Sequence, residues 1–181
     1  MRPLLRAAIA AGITLGSIPV AATTVAPWDL SDMAMASDLV VRGTIQALRT
    51  FREPSGRILT EAVVEVREAM QGQAPDTVAV TWPGGELDGQ GQRVPGTPRV
   101  RTGQEVVLFL ARPGPDSLVA RYLPVSLAAG VLEVRRLPDR SLLVRDLQGL
   151  HSPDGLGLPP LPDTLEELRE CLRSLRGEAG P

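Results

Sequence analysis

The sequence predicts an all-β fold with peripheral helices, an OB-like β-barrel of five to seven strands carrying a C-terminal amphipathic helix, with a β-sandwich as the alternative. Three observations point there. Apolar and polar residues alternate with a period of two along several long runs. Gly/Pro-rich turn chemistry separates those runs, and leucines recur at helical spacing in the last segment.

The first residues read as an export signal rather than as part of the fold. Arg2 and Arg6 precede an apolar stretch broken by Gly12, Gly16 and Pro19, and Val20 and Ala22 fit the small-residue rule for cleavage after Ala22. The expected organisation is a signal peptide over 1–22, a β domain over 23–147, a Gly/Pro-rich connector over 148–163 and a helix over 164–176. Secretion or periplasmic residence follows, with no membrane association once the signal is removed. An oxidising compartment invites disulfides, yet Cys171 is the one cysteine in the chain and no internal bridge can form. A buried thiol or an intermolecular disulfide are its two readings.

Leu30 to Ser37 predicts a short helix with Asp29 as its N-cap. The run from Asp38 to Leu48 then alternates, with Leu39, Val41, Ile45 and Ala47 inward, Arg42, Thr44 and Gln46 outward, and Gly43 breaking the middle. Ile58 to Met70 repeats the pattern with Ile58, Thr60, Ala62, Val64 and Val66 inward and Glu61, Glu65 and Arg67 outward. Pro54, Ser55 and Gly56 supply a hairpin turn between the two. Thr77 to Trp82 is the third strand. Gln104 to Ala111 is nearly all apolar, which predicts a strand covered on both faces. Weaker strand signals lie at 118–124, 130–137 and 141–147, with a tight turn at 137–140. The prolines of 148–163 predict an extended strap. In the last segment Asp163 is the expected cap, Glu166 completes the capping-box spacing, and Leu165, Leu168, Leu172 and Leu175 form a stripe that should dock on the β domain.

Composition excludes several chemistries. All 19 basic residues are arginine, so no lysine Schiff base or Walker-type phosphate loop is available. A net charge of −2 and few aromatics argue against nucleic acid. One histidine, His151, and one cysteine leave no transition-metal ligand set and no supported nucleophile, so no cofactor, metal or catalytic residue is expected. Glu61 and Glu65 share a strand face at a spacing compatible with an acid and base pair, although solvent-facing strands ordinarily carry such charges.

The stretch from Leu30 to Ala111 contains a short helix, Ala36-Ser37-Asp38-Leu39-Val40-Val41-Arg42-Gly43, Ile58-Leu59-Thr60, Pro83-Gly84-Gly85 and Gly103-Gln104-Glu105-Val106-Val107-Leu108-Phe109-Leu110. That pattern resembles small secreted OB-like, inhibitor-like β-barrel proteins of GC-rich bacteria, most without an assigned activity. The resemblance implies a barrel and an association with secreted metalloproteases. Tissue-inhibitor-like barrels engage the protease metal through an N-terminal cysteine, which this chain lacks.

The 83–103 segment carries six Gly and three Pro, far longer than the usual ~4–6-residue connection, and is therefore read as functional or mobile. Its glycines match neither a phosphate loop nor a dinucleotide fingerprint. Glu86, Asp88, Arg93, Arg99 and Arg101 are the candidate binding residues. The expected function is a secreted, non-catalytic module that presents this loop to another secreted or cell-surface protein, with an extracellular protease as the candidate partner. A hydrolase with an unrecognised site and a carbohydrate-binding barrel are the alternatives.

Overall fold

A computed structural model describes residues 23–24, 28–114, 121–152 and 157–178. The expected signal peptide lies outside the described residues. Chain order is β1 (Thr23–Thr24), α1 (Leu30–Met35), β2 (Leu39–Arg52), β3 (Ile58–Gln71), β4 (Thr77–Pro83), β5 (Gly85–Leu87), β6 (Gln90–Gln92), β7 (Glu105–Ala111), β8 (Leu123–Pro124), a 3-10 turn (Leu127–Gly130), β9 (Val131–Arg136), β10 (Ser141–Arg145), β11 (Leu150–His151) and α2 (Leu165–Glu178). The main sheet is seven-stranded, in the order β10-β9-β7-β2-β3-β4, with β8 also paired to β7. Its ladders are all antiparallel. The fold is mostly β with a C-terminal helix, and the sheet is not closed into a barrel by a continuous ladder. Among the described residues no helix is long and apolar enough to cross a membrane.

β7 lies centrally, and its alternation divides two cores. Val107 and Phe109 point to the face covered by α1 and α2, joining Met33, Val40, Leu132, Leu168 and Leu172. Val106, Leu108 and Leu110 point to the other face, where the sheet packs on itself through Ile45, Val64, Val80 and Trp82. All five of these β7 residues are at most 3% exposed, as expected of a strand covered on both sides.

The β2–β3 hairpin turns at Glu53–Arg57, with Gly56 at a positive φ of 87°. Two expectations change along it. Gln46 is an extra residue between the pairs Ile45–Val64 and Ala47–Val63, a β-bulge that turns Ala47 out to solvent rather than inward. Glu61, expected outward and solvated, is only 3% exposed. Arg49 stands opposite it in register and pairs with its carboxylate at 2.5 Å, and Arg121 pairs with the other oxygen. Both guanidiniums lie over the Phe51 ring, at 5.6 and 5.3 Å from its centroid. Glu65 meanwhile engages Gln46 and Arg67. The two carboxylates are thus tied to separate cationic or amide partners.

α1 starts as expected, with a reciprocal capping box between Asp29 and Asp32. α2 starts one residue later than expected. Thr164 bridges Leu142, and the Asp163 carbonyl accepts from the Leu143 N–H, so the chain stays extended through this point. Thr164 Oγ1 then accepts from the Glu167 N–H and serves as the cap in place of Asp163.

An ion-pair ladder fastens α2 across the sheet. Arg169 of α2 bonds Glu68 of β3 at 2.7 Å, Glu68 meets Arg42 of β2 at 3.1 Å, Arg42 meets Glu105 of β7 at 2.6 Å, and Glu105 meets Arg136 of β9 at 2.7 Å. Hydrogen bonds from Arg169, aided by Arg42, hold the Glu68 carboxyl below its ordinary 4.5. Burial pushes Glu105 up, but the bonds from Arg136 and Arg42 outweigh it and the net displacement is downward. A carboxylate lowered in the folded state contributes stability that is complete above its unfolded pKa and lost as pH falls through the folded value. Melting temperature should therefore hold steady from neutral pH toward 4.5 and decline below it. The acid-induced loss should be smaller in Arg169→Gln, read by thermal denaturation across that range.

Candidate functional site

The 83–103 segment is not a free flap. Its first part is a β-hairpin, β5–β6, turning at Asp88 and Gly89 with φ of 52° and 73°, the left-handed pair that a two-residue hairpin requires. The hairpin is fixed to the end of β2 and β3. Gly84 N–H donates to the Ile58 carbonyl at 2.8 Å, Thr60 Oγ1 donates to the Gly84 carbonyl at 2.7 Å, and Ile58 N–H donates to Gln92 Oε1 at 3.0 Å. Gly85 explains the closeness of this approach, because a Cβ there would strike Thr60 Oγ1 at 2.5 Å and Thr50 Cγ2 at 2.7 Å.

The second part, residues 93–100, turns at Pro95 and Gly96 and is anchored from the other side. The Ala128 N–H donates to the Gly96 carbonyl at 3.0 Å, Thr97 closes a turn onto the Val94 carbonyl, and Arg99 Nη1 donates to Gln148 Oε1 at 2.7 Å. Between the two parts lies a groove of about 1000 Å³. Trp82 and Leu48 line it from the sheet, Val94 and Pro95 from the loop, and Gly84, Gly85 and Gly91 from the hairpin. Leu48 is 37% exposed whereas Trp82 is 7% exposed, so the first is an accessible apolar contact and the second is mainly support.

The five candidate residues separate. Glu86, Arg93 and Arg99 line the groove. Asp88 occupies the hairpin tip, and Arg101 lines a second cleft of about 500 Å³ on the far side of the Pro98–Val100 wall. Sequence reasoning missed Leu48, Thr60 and Trp82, which reach the groove from β2, β3 and β4. No protein-family model matches the chain, and no curated protein matches it either. The geometry therefore carries the functional argument alone. An open groove with apolar patches and both charge signs at its rim suits an extended polypeptide better than a small rigid ligand.

Proposed function

We propose that this protein is an exported, non-catalytic binding module that receives an extended segment of another secreted or cell-surface protein in the groove between β5–β6 and residues 93–100. The observation that carries the reading is the anchoring of both groove walls, one to β3 and the other to the 3-10 turn and Gln148, which supplies a preformed concave surface and limits the ordering cost of binding. An extracellular protease is the candidate partner, since an extended chain is the form in which proteases and their ligands commonly meet.

The same proposal includes an OB-like closure of the sheet. Its support is the segment around Tyr122, whose N–H donates to the Ala79 carbonyl and whose carbonyl accepts from Thr81, while the next two residues pair with β7. That segment spans the gap between β4 and β7 on the side opposite β2 and β3.

The test is partner recovery from the producing organism's secreted fraction, using residues 23–181 beside a variant lacking 86–101. The intact protein should retain a partner that the deletion variant fails to retain. Equal recovery by both would remove the loop from the account. Substrate turnover by the intact protein with no partner recovered would replace binding with catalysis.

A further inference from the structure

β2 has a strand on each side for only its first half. β7 pairs with it over Leu39–Thr44, and Ile45 closes that stretch by donating to the Gln104 carbonyl and accepting from the Gly103 N–H. The chain that precedes Gly103 leads back into the 93–100 wall of the groove, while β3 stays paired with β2 as far as Arg52. The second half of β2 is therefore a sheet edge, and Leu48 within it lines the groove.

The register shows which main-chain groups that edge presents, because antiparallel partners alternate between residues bonded to each other and residues whose N–H and C=O point away. The Ile58 N–H donates to Gln92 Oε1 and its carbonyl accepts from the Gly84 N–H, so neither group serves Arg52, its register partner. Counting back along the unshifted register, Thr50 and Leu48 likewise turn their N–H and C=O away from β3. The β4 side gives the same count. The Tyr122 carbonyl accepts from the Thr81 N–H and the Tyr122 N–H donates to the Ala79 carbonyl, which leaves the main chain of Glu61 and Val63 to bond Arg49 and Ala47. Among the described residues no hydrogen bond reaches the outward main-chain groups of Leu48, Thr50 or Arg52.

We infer that the bound segment adds to β2 as an antiparallel or parallel strand over 46–52, taking up beyond Ile45 the place that β7 holds before it. This rests on the groove being a polypeptide site, and it specifies that recognition is by main-chain pairing at the β2 edge. The edge spans roughly 20 Å, enough for a strand of ordinary length. Charge decides the occupant. The 46–52 segment contains no acidic residue. Arg49 and Arg121 share the Glu61 carboxylate, and Arg52 bonds the neutral Gly56 carbonyl and Gln90 Oε1. Two copies of this chain placed edge to edge would oppose like charges, which destabilises cross-strand pairing. The occupant is an extended segment of a different protein, free of basic residues and carrying an apolar side chain against Leu48.

The probe is a random heptapeptide display library selected on the full chain, with the tightest peptide then synthesised and measured by fluorescence anisotropy. The selected peptides should be rich in apolar and β-branched residues and free of lysine and arginine. N-methylation moved one position at a time along the peptide should weaken binding by about tenfold or more at alternate positions, since only every second amide of an added strand faces β2. Equal effects at all positions, or none, would overturn strand addition. Thr50→Pro removes one outward N–H and leaves the ladder to β3 intact, so it should weaken the peptide by a similar factor, whereas Thr50→Val keeps that N–H and should bind as the parent does. Undiminished binding to Thr50→Pro would overturn the edge as the site. The methylation scan needs no protein variant and decides the point if Thr50→Pro folds poorly. A dimer in sedimentation that Thr50→Pro abolishes would give the edge to a second copy and overturn the occupant. Leu48→Glu separates this inference from the groove reading. Peptides weakened by Leu48→Glu without a period of two in the scan would keep the groove and remove the strand. A period of two with indifference to Leu48→Glu would keep the strand and remove the groove, and a library that enriches no peptide would remove both.

Discussion

Leu168→Asp and Leu172→Asp are each expected to destabilise the protein by about 2–5 kcal/mol, the sum of an emptied apolar volume and a carboxylate placed where it has no partner. Leu168 is fully buried and Leu172 is 1% exposed, and both share a core with Phe109, Val40 and Leu132. The helix that carries them covers the face on which β2, β7, β9 and β10 meet. For a chain of this size that loss corresponds to a fall in melting temperature of roughly 5–20 °C. Glu167→Ala, at an exposed position of the same helix, is the matched control and should melt close to the parent. Unchanged melting of both leucine variants would mean that the stripe is not held against the sheet.

Much of the β architecture is legible in the sequence because a buried strand face imposes a period of two that nothing else in the chain imitates. The run from Glu105 to Ala111 is the clearest instance. Its unbroken apolarity has one economical explanation, two covered faces, and both cores meet there. The departures arise where non-local contacts override the local pattern. Glu61 reads as a solvated strand charge, and its burial depends on Arg121, which is distant in sequence, and on the Phe51 ring beneath the guanidiniums. Ala47 is turned outward by a bulge whose cause is the pairing register with β3, a property of two strands together. Thr164 displaces Asp163 as a cap because β10 claims the Asp163 carbonyl.

The candidate site was legible in place but not in form. Length and glycine content single out 83–103, and the Asp88-Gly89 dipeptide is the local signal for the hairpin inside it. What periodicity assigns to the core, Trp82 above all, also lies under the groove, because a residue at the end of a strand can support a surface while pointing inward. The place of Arg135 beside Arg99 and Arg101 appears only once the loop returns next to β9.

The groove itself is most directly tested at Leu48. This side chain is the accessible apolar contact on the sheet side, and no hydrogen bond of the fold depends on it. Leu48→Glu places a charge where an apolar group of the partner must be desolvated, which opposes binding without emptying the core. Partner retained from the secreted fraction is expected to fall by about tenfold or more, with melting temperature close to that of the parent chain. The decisive measurement is the affinity of the recovered partner for the parent and for Leu48→Glu, compared side by side. A loss confined to affinity is the result the account predicts. Equal affinity of the two proteins for that partner would contradict it, because it would mean that the partner is held by some other surface.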